Sequence, residues 1–289
     1  MKATTPPRSI LVTGASSGIG KDATLALLGE GFQVFAGVRD EAAAARLRSE
    51  APAGTGERLQ VLMLDVTQPA QVAAAVDRLR AALGQDGLWG LFNNAGITVN
   101  GPIEFLKLDD LRRQLEVNVI GQVAMTQAVI PLLRRARGRV VTTGSVAGFI
   151  SMPGLAPYAM SKHAMEAFSD SLRRELRPWG IQVSLLEPGA IATDIWQKGL
   201  RDADAAERDW PERARELYAP LIVALRKAAA MSERRASPPA VVTRAVVHAF
   251  TAATPRTRYR MGRDSGIQRF IAWLPDRWAD ALLAKALRL

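Results

Sequence analysis

The chain has 289 residues, of which 48% are hydrophobic and 23% are charged, so it can bury a substantial core as one α/β domain or as two domains. It contains no cysteine, which excludes disulfides and thiolate metal sites, and we expect no metal ion. The formal charge of +10 arises from 38 basic and 28 acidic side chains. Because the arginines are scattered and no basic run alternates with aromatic residues, we expect attraction for an anionic cofactor and no nucleic-acid binding.

The sequence predicts neither a secretory signal nor a transmembrane segment. The residues before Ile10 are polar and contain proline, without the apolar core of a signal peptide. No stretch approaches the roughly 18 uninterrupted apolar residues of a spanning helix. Together with the lack of cysteine, this predicts a cytoplasmic protein.

The first predicted strand covers residues 9–12, and a glycine-rich turn over residues 13–20 and a helix over residues 22–30 follow at once. Glycines let the backbone approach a pyrophosphate, and the N-terminus of a helix offers it free N–H groups. A glycine-rich turn alone is weak evidence, but its position between a strand and a helix favours nucleotide binding. The turn residues expected to contact a dinucleotide are Gly14, Ser16, Ser17, Gly18, Ile19 and Gly20.

The second predicted strand, residues 33–38, ends at Arg39. In a dinucleotide-binding fold the end of this strand meets the adenosine ribose, where an arginine suits a 2′-phosphate and an acidic residue suits a 2′-hydroxyl. Arg39 therefore favours NADP(H). The adjacent Asp40 leaves NAD(H) possible.

Helices and strands continue to alternate up to Pro188. Residues 41–57 read as a helix and a loop, and tight small-residue turns follow the predicted strands at Asn93 and Gly144. Alternation of this kind predicts an α/β fold with a parallel, doubly wound sheet. The predicted strands cover residues 61–66, 90–92, 138–143 and 182–186, and the predicted helices cover residues 70–83, 109–133 and 158–177.

Tyr158 and Lys162 lie four residues apart on a predicted helix, so their side chains share one face. An ammonium about 4 Å from the phenol would contribute roughly 4 kcal/mol at an effective dielectric constant near 20. This energy corresponds to about 3 pKa units and would bring the phenol towards the working pH of an acid–base catalyst. The alternative is an amphipathic helix with a half-buried tyrosine and a solvated lysine.

The pattern changes after Thr193. Residues 194–237 are charged and mostly helical, with Trp196 and Trp210 among them, and a further helix runs from Pro238 through residue 250. Residues 256–289 form a C-terminal extension with a predicted strand around Tyr259 and a helix from residue 276.

With these motifs in view, the chain resembles the short-chain dehydrogenase/reductase family over nearly its whole length. The resemblance is carried by four spaced motifs, which are residues 13–20, residues 93–96, the pair Tyr158 and Lys162, and residues 188–193. It implies one Rossmann-fold domain over residues 1–289.

The resemblance implies that Asn118, Ser145, Tyr158 and Lys162 form a catalytic tetrad. Tyr158 would exchange a proton with the substrate oxygen, and Ser145 would hold that oxygen by a hydrogen bond. Lys162 would bind the nicotinamide ribose and favour the phenolate. Asn118 lies mid-helix, where asparagine is a poor helix former, and would bend the backbone around a water of a proton relay.

The same resemblance implies further contacts with the dinucleotide. Asp65 and Val66 would meet the adenine, and a second turn would meet the adenosine side. The loop after the sixth strand would meet the nicotinamide carboxamide. Members that use NADP often have a basic residue where this chain has Ser17. The residues implied for the turn and the loop are Asn94, Ala95, Gly96, Pro188, Gly189, Ile191 and Thr193.

Residues 166–173 and 178–180 look like the hydroxysteroid and retinol dehydrogenase branch of the family. This implies an NADP(H)-preferring alcohol dehydrogenase or carbonyl reductase for a bulky apolar substrate such as a steroid or a retinoid. Two alternatives are a reductase of 3-oxoacyl thioesters or other polar carbonyls, and a non-catalytic nucleotide-binding regulator.

Two expectations on movement and assembly also follow from the resemblance. Residues 194–237 come directly after the nicotinamide loop, so we expect a substrate lid whose apolar face covers the ligand. The alternative is a permanently docked pair of helices. The helix over residues 109–133 and the helix with Tyr158 resemble a four-helix interface, which implies a homodimer or a homotetramer.

Overall fold

The computed structural model of the protein describes residues 7–193, 201, 204, 207–262 and 265–287. Its sheet consists of β1 (Ser9–Val12), β2 (Gln33–Val38), β3 (Leu59–Met63), β4 (Gly90–Asn93), β5 (Arg139–Thr143), β6 (Gln182–Pro188) and β7 (Arg258–Met261). The strand order is β3-β2-β1-β4-β5-β6-β7, and all neighbouring strands are parallel. The predicted doubly wound α/β sheet is confirmed.

Helices cover both faces of the sheet. Along β1, Ile10 and Val12 belong to one core cluster and Leu11 belongs to the other, because successive side chains of a strand point to opposite faces. The helices are α1 (Gly18–Gly29), α2 (Glu41–Glu50), α3 (Pro69–Leu83), α4 (Leu108–Leu115), α5 (Gly121–Ala136), α6 (Ala156–Leu176), α7 (Glu212–Arg235), α8 (Ala240–Thr251), α9 (Ser265–Ile271) and α10 (Asp276–Leu287).

The order of the strands places the candidate site. Helices α1, α2 and α8 pack on one face of the sheet, and α3, α5 and α6 pack on the other. The direction of strand order reverses between β1 and β4, and ligands of open α/β sheets bind in the crevice at the carboxyl ends of such strands. The glycine-rich turn after β1 and the small-residue turn after β4 meet at this crevice.

Two helices differ from their predicted bounds. Helix α1 begins at Gly18, four residues before the predicted start at residue 22, because the glycine-rich turn leads directly into its first turn. The helix predicted over residues 109–133 runs from Leu108 to Ala136, but a π-helical turn over Glu116–Ile120 divides it into α4 and α5. Such turns commonly mark functional sites.

The helical run Leu108–Ala136 is long and apolar enough to cross a membrane by length and composition alone. Buried helices of folded domains pass the same test. Here the run contacts α3, α6 and β4, and Asn118 and Gln122 within it are fully buried. We therefore assign it to the core of the domain.

The C-terminal third is helical, as predicted, with one addition. Helix α7 accounts for most of the described part of residues 194–237, and α8 and β7 lie where the sequence placed them. Helix α9 was not predicted, because its seven residues are too few to show a helical period. Trp196 and the rest of residues 194–200 lie outside the described residues, so the lid stays a prediction.

Candidate active site

The glycine-rich turn after β1 has no room for a side chain at Gly14 or Gly20. Gly14 and Gly18 have φ angles of 65° and 53°, a region that favours glycine. A Cβ at Gly20 would overlap the carbonyl oxygen of Gly14 and the side-chain amide of Asn94. Ser17 is the N-cap of α1 but makes no side-chain capping hydrogen bond, so its hydroxyl does not occupy the first N–H groups of the helix. The turn therefore fits the pyrophosphate of a dinucleotide.

Hydrogen bonds from the β4 turn hold this glycine-rich turn in place. The Oγ1 atom of Thr13 accepts hydrogen bonds from the backbone N–H groups of Asn94 at 3.0 Å and Ala95 at 3.1 Å. The amide Nδ2 of Asn94 donates to the carbonyl oxygens of Thr13 at 3.2 Å and Gly14 at 3.1 Å. The side chain of Asn94 thus holds the backbone of the glycine-rich turn by hydrogen bonds. Thr13 is a positioning residue that was not predicted from the sequence.

At the end of β2, the two candidate ribose residues have different surroundings. Arg39 is exposed, and the described part of the chain gives it no hydrogen bond or ion pair. The Oδ1 atom of Asp40 accepts a hydrogen bond from the N–H of Ala43 at 2.7 Å and caps α2. The cap thus engages one oxygen of the Asp40 carboxylate, whereas the Arg39 side chain has no such contact in the described residues.

The predicted adenine residues lie after β3. One carboxylate oxygen of Asp65 accepts hydrogen bonds from the N–H of Thr67 at 2.9 Å and from its Oγ1 at 2.7 Å. Val66 is buried and lies so close to Gly121 that a Cβ there would be 2.7 Å from the Val66 Cγ2 atom. This contact packs the turn after β3 against the start of α5.

Asn118 lies in the π-helical turn, and its side chain is fully buried. Its Oδ1 accepts a hydrogen bond from the N–H of Ile97 at 2.8 Å, and its Nδ2 donates to the Ile97 carbonyl at 3.0 Å and to Ser161 Oγ at 3.1 Å. Gln114, one turn earlier, also donates to the Ile97 carbonyl at 3.0 Å. The amide of Asn118 therefore joins the loop after Gly96 to the helix that carries Tyr158.

Gln114 and Ser161 were not predicted as site residues. Both are fully buried, and the Nδ2 of Asn118 donates to Ser161. Gln114 lies four residues before Asn118, on the same helical face, and Ser161 immediately precedes Lys162. These positions relative to Asn118 and Lys162 are what could have indicated, from the sequence, that Gln114 and Ser161 belong to the site.

Tyr158, Ser145 and Lys162 come together, but the pKa shift expected of Tyr158 is wrong. The Nζ atom of Lys162 donates to the Thr143 carbonyl at 2.7 Å and lies 5.6 Å from the centre of the Tyr158 ring. Burial raises the pKa of Tyr158, and a hydrogen bond with Ser145 lowers it in part. The expected shift required an ammonium about 4 Å from the phenol and did not include the cost of burying a phenolate. Burial also lowers the pKa of Lys162 to about 8.

The loop after β6 faces the glycine-rich turn. The N–H of Gly189 donates to the Met261 carbonyl at 2.8 Å, and Ile191 pairs with Ser237 in an isolated parallel bridge. A Cβ at Gly18 would lie 3.5 Å from the Cβ of Thr193. Contacts with Met261 and Ser237 therefore hold the loop in place, and its end lies against the start of α1.

The other predicted dinucleotide residues lie around these two segments. Pro188 is the buried last residue of β6, and Gly96 is exposed after β4. The half-buried members of the glycine-rich turn are Gly14, Ser16, Ser17, Gly18 and Ile19.

An ion cluster joins helix α6, which carries Tyr158, to the end of β6. The guanidinium of Arg258 donates from Nε to Glu187 at 3.0 Å, from Nη1 to Asp170 at 3.0 Å and from Nη2 to Glu166 at 2.8 Å. Arg260 donates to the second oxygen of Glu187 at 2.9 Å. Burial raises the pKa of Glu166, whereas the hydrogen bond from Arg258 lowers the pKa of Asp170. The cluster fixes α6 relative to the loop that follows β6.

The whole arrangement has counterparts in known proteins. The sequence matches the family model described as short chain dehydrogenase over residues 8–204. The chain belongs to the short-chain dehydrogenase family.

Several curated members of this family are similar to the chain over most of its length. Retinol dehydrogenase 16 of Mus musculus is 37% identical over 95% of this chain and 87% of the relative. 17-beta-hydroxysteroid dehydrogenase type 6 of Bos taurus is 37% identical over 96% of this chain and 88% of the relative. Mitochondrial D-beta-hydroxybutyrate dehydrogenase of Mus musculus is 37% identical over 87% of this chain and 76% of the relative. The predicted resemblance to the hydroxysteroid and retinol dehydrogenase branch is confirmed.

Solved short-chain dehydrogenases share the fold. One from Streptomyces avermitilis superposes with a TM-score of 0.74 at 25% identity, covering 99% of this chain and 96% of that one. Another from Burkholderia cenocepacia J2315, in complex with NADP, has a TM-score of 0.70 at 25% identity and covers 97% and 98% of the two chains.

The close packing of the glycine-rich turn predicts different effects for two glycines of α1. Gly20→Ala should lower the free energy of unfolding by about 1–3 kcal/mol and weaken dinucleotide binding, because the turn must open to admit a methyl group. Gly29→Ala is the control, since a Cβ at Gly29 would have no neighbour within 4 Å, and it should be neutral or stabilising by up to about 1 kcal/mol. Urea unfolding and nucleotide titration measure both effects. Equal stability of the two variants would contradict the packing.

The lowered pKa of Lys162 predicts a pH dependence of folding. Below about pH 8 both states hold the proton, and between about pH 8 and pH 10.4 the unfolded chain holds a proton that the folded chain has lost. The contribution of Lys162 to the free energy of unfolding therefore rises with pH in this window, by up to about 1.4 kcal/mol per pH unit. Urea unfolding of the wild type and of Lys162→Met at several pH values should show the wild type gaining relative stability. Parallel pH curves would contradict the shift.

Proposed function

We propose that the protein is an NADP(H)-preferring short-chain dehydrogenase/reductase that interconverts a secondary alcohol and a ketone, or a primary alcohol and an aldehyde, on a bulky apolar substrate such as a steroid or a retinoid. The observation that carries the proposal is the meeting of Ser145, Tyr158 and Lys162 beside a glycine-rich turn that fits a pyrophosphate. The similarity to retinol and 17-beta-hydroxysteroid dehydrogenases supports the substrate class.

When bound, the nicotinamide dinucleotide supplies or accepts the hydride. The glycine-rich turn and the N-terminus of α1 would hold its pyrophosphate, and the loop over residues 188–193 would hold its carboxamide. Lys162, whose buried Nζ is fixed by the Thr143 carbonyl, would bind the nicotinamide ribose. The chain thus supplies position and electrostatics for a chemistry that belongs to the cofactor.

We assign the transfer of the proton to and from the substrate oxygen to Tyr158. Because burial raises the pKa of its phenol, this group is protonated at neutral pH and is poised to donate to a carbonyl oxygen during reduction. Ser145 accepts a hydrogen bond from the N–H of Ala147 at 3.1 Å, and its hydroxyl, which also forms a hydrogen bond with Tyr158, would bind the same oxygen. In oxidation the phenol must first lose its proton, and a positively charged Lys162 nearby favours that loss.

The preference for NADP(H) rests on the ribose end of the site. Arg39 is exposed and has no other partner in the described residues, and Asp40 caps α2. An unpaired guanidinium suits a 2′-phosphate, whereas binding of NAD(H) would rely on the oxygen of Asp40 that the helix cap does not use. The solved short-chain dehydrogenase from Burkholderia cenocepacia J2315, which contains NADP and is 25% identical, supports the same preference.

The apolar substrate is supported by side chains beside the mouth of the site. The rings of Phe105 and Tyr218 meet edge to face at 5.8 Å, and Trp210 lies against Gly101. The N–H of Gly101 donates to the Gly154 carbonyl at 2.8 Å, which joins this wall to the loop before Tyr158. A lid over residues 194–237 would extend the wall.

The similarity to D-beta-hydroxybutyrate dehydrogenase favours a second candidate, an enzyme for a smaller polar hydroxy acid or keto acid. Such a substrate needs a cation for its carboxylate. Lys107, beside the same wall, is already paired with Asp209 at 2.8 Å, so we rank this candidate second. A non-catalytic regulator ranks below both, because the complete tetrad is present. The cytoplasmic location and the dimeric or tetrameric assembly stay predictions.

The role of Tyr158 is tested by Tyr158→Phe, which keeps the ring and removes the proton donor. We expect kcat with retinol or a hydroxysteroid to fall by about 10²–10⁴-fold, while the Kd for NADP(H) changes little. Stopped-flow turnover and fluorescence titration measure the two quantities. Near-native turnover would contradict the assignment, whereas loss of cofactor binding would indicate a structural role.

The cofactor preference is tested by Arg39→Ala. Only NADPH offers the 2′-phosphate, so its Kd should rise by about 10- to 150-fold while the Kd for NADH stays nearly constant. Arg46→Ala, which removes an exposed arginine of the neighbouring helix α2, is the matched control and should affect neither cofactor. Equal losses for NADPH and NADH in Arg39→Ala would assign the ribose to Asp40.

A further inference from the structure

The last two helices leave a set of large apolar side chains exposed to solvent. Trp273 is 73% exposed, Trp278 is 67% exposed and Ile267 is 66% exposed. Soluble monomers rarely expose several large apolar groups in one short segment unless the surface binds something. We call this set the C-terminal apolar surface, and it consists of Ile267, Phe270, Trp273, Trp278 and Leu282.

The spacing of these residues gathers them on the outer sides of α9 and α10. Ile267 and Phe270 are three residues apart in α9, and Trp278 and Leu282 are four residues apart in α10, so each pair lies on one helical face. Trp273 lies in the short connection between the two helices. The outer faces are thus apolar, the reverse of an ordinary surface helix.

The inner sides of these helices attach to the rest of the protein close to the candidate active site. Helix α9 contacts β7 and the short turn Val146–Gly148 that follows Ser145, and α10 contacts α7. The guanidinium of Arg269 lies 4.9 Å from the ring centre of Phe149 and 5.6 Å from that of Trp273. The apolar surface therefore belongs to a fixed layer beside the catalytic serine.

The lengths of the two helices decide how they can meet a bilayer. Helix α9 has seven residues and α10 has 12, whereas a spanning helix needs about 20. Tryptophan side chains favour the boundary between headgroups and acyl chains, where the ring is apolar and the indole N–H stays hydrated. The segment fits a helix pair that lies in the membrane surface.

The excess of positive charge on the surrounding helices favours an anionic bilayer over a second copy as the partner of this surface. Helix α7 contributes six basic and three acidic side chains, and α9 and α10 together contribute three basic and two acidic ones. The whole chain carries +10. A second copy would bring the same positive charge to the interface, whereas anionic lipid headgroups complement it.

We propose that the C-terminal apolar surface docks the protein on the surface of an anionic lipid bilayer. Trp273 and Trp278 enter the headgroup boundary, and basic side chains such as Arg277 and Lys285 contact the headgroups. Because α9 packs beside the turn after Ser145, docking brings the candidate active site close to the bilayer. This inference goes beyond the proposed reaction and does not depend on it.

Vesicle co-sedimentation of the full chain tests the proposal. The vesicles are phosphatidylcholine alone and phosphatidylcholine mixed with phosphatidylglycerol, each at low and high salt. We expect the protein to bind the mixed vesicles and to be released by salt. Trp273→Ser/Trp278→Ser should weaken binding at least about tenfold, because burying one large apolar side chain contributes that much. The control is Trp179→Ser, since Trp179 is 43% exposed but lies outside this surface, and it should bind like the wild type.

Further measurements distinguish a loss of membrane binding from misfolding of the variant and from self-association of the protein. Thermal unfolding and NADP(H) titration of the double variant should match those of Trp179→Ser, which excludes misfolding. Arg277→Glu/Lys285→Glu keeps every apolar residue and should reduce binding to the mixed vesicles only. Unchanged binding of the tryptophan double variant, equal binding to both vesicle types or no binding to either would overturn the proposal. An oligomer seen by light scattering that the double variant loses, without vesicle binding, would assign the surface to a second copy and also overturn it.

Discussion

The close approach of two turns at the switch point of the sheet constrains the rest of the structure. The turn after β1 and the turn after β4 are so near that Gly20 has no room for a methyl group beside Gly14 and Asn94. The Thr13 hydroxyl and the Asn94 amide fill the hydrogen-bonding needs of the backbone at this point. The start of α1 is thereby fixed, and with it the direction in which its N–H groups can meet an anion.

Burial and buried polar contacts determine the pKa values of Tyr158 and Lys162. Lys162 is held by a backbone carbonyl, and Asn118 is held between the Ile97 backbone and Ser161. Each of these groups is satisfied by a partner that is distant in the sequence, so the cluster tolerates burial. Burial in turn raises the pKa of Tyr158 and lowers that of Lys162, which leaves a protonated phenol next to a readily titrated amine.

Helix α6, which carries Tyr158 and Lys162, connects these two regions to the edge of the sheet. One face of the helix carries Tyr158 and Lys162, and one and two turns further Glu166 and Asp170 bind Arg258 of β7. Through Glu187 the same arginine reaches the end of β6. A rotation of α6 would therefore break the charge-assisted hydrogen bonds between Arg258 and the half-buried carboxylates of Glu166 and Asp170. Tyr158 and the loop after β6 are thus held in one frame.

The sequence by itself determined the features that depend on local periodicity and local backbone chemistry. The alternation of strands and helices, the glycine-rich turn and the four-residue spacing of Tyr158 and Lys162 predicted the sheet and the grouping of the site, because these patterns act over a few neighbouring residues. Only the tertiary structure decided the pKa of Tyr158, since burial and the distance to an ammonium depend on the packing of whole elements.

The candidate ribose residues near the N-terminus and the tryptophans near the C-terminus show the same difference between what the sequence predicts and what the folded structure adds. The residue types at Arg39 and Asp40 left the cofactor open, and the folded structure added that Asp40 caps α2 through one carboxylate oxygen. The exposure of Trp273 and Trp278 could not be predicted from the sequence, because composition does not show which face of a short helix remains uncovered. Whether a residue is exposed depends on what packs against it, and these packing partners come from distant parts of the chain.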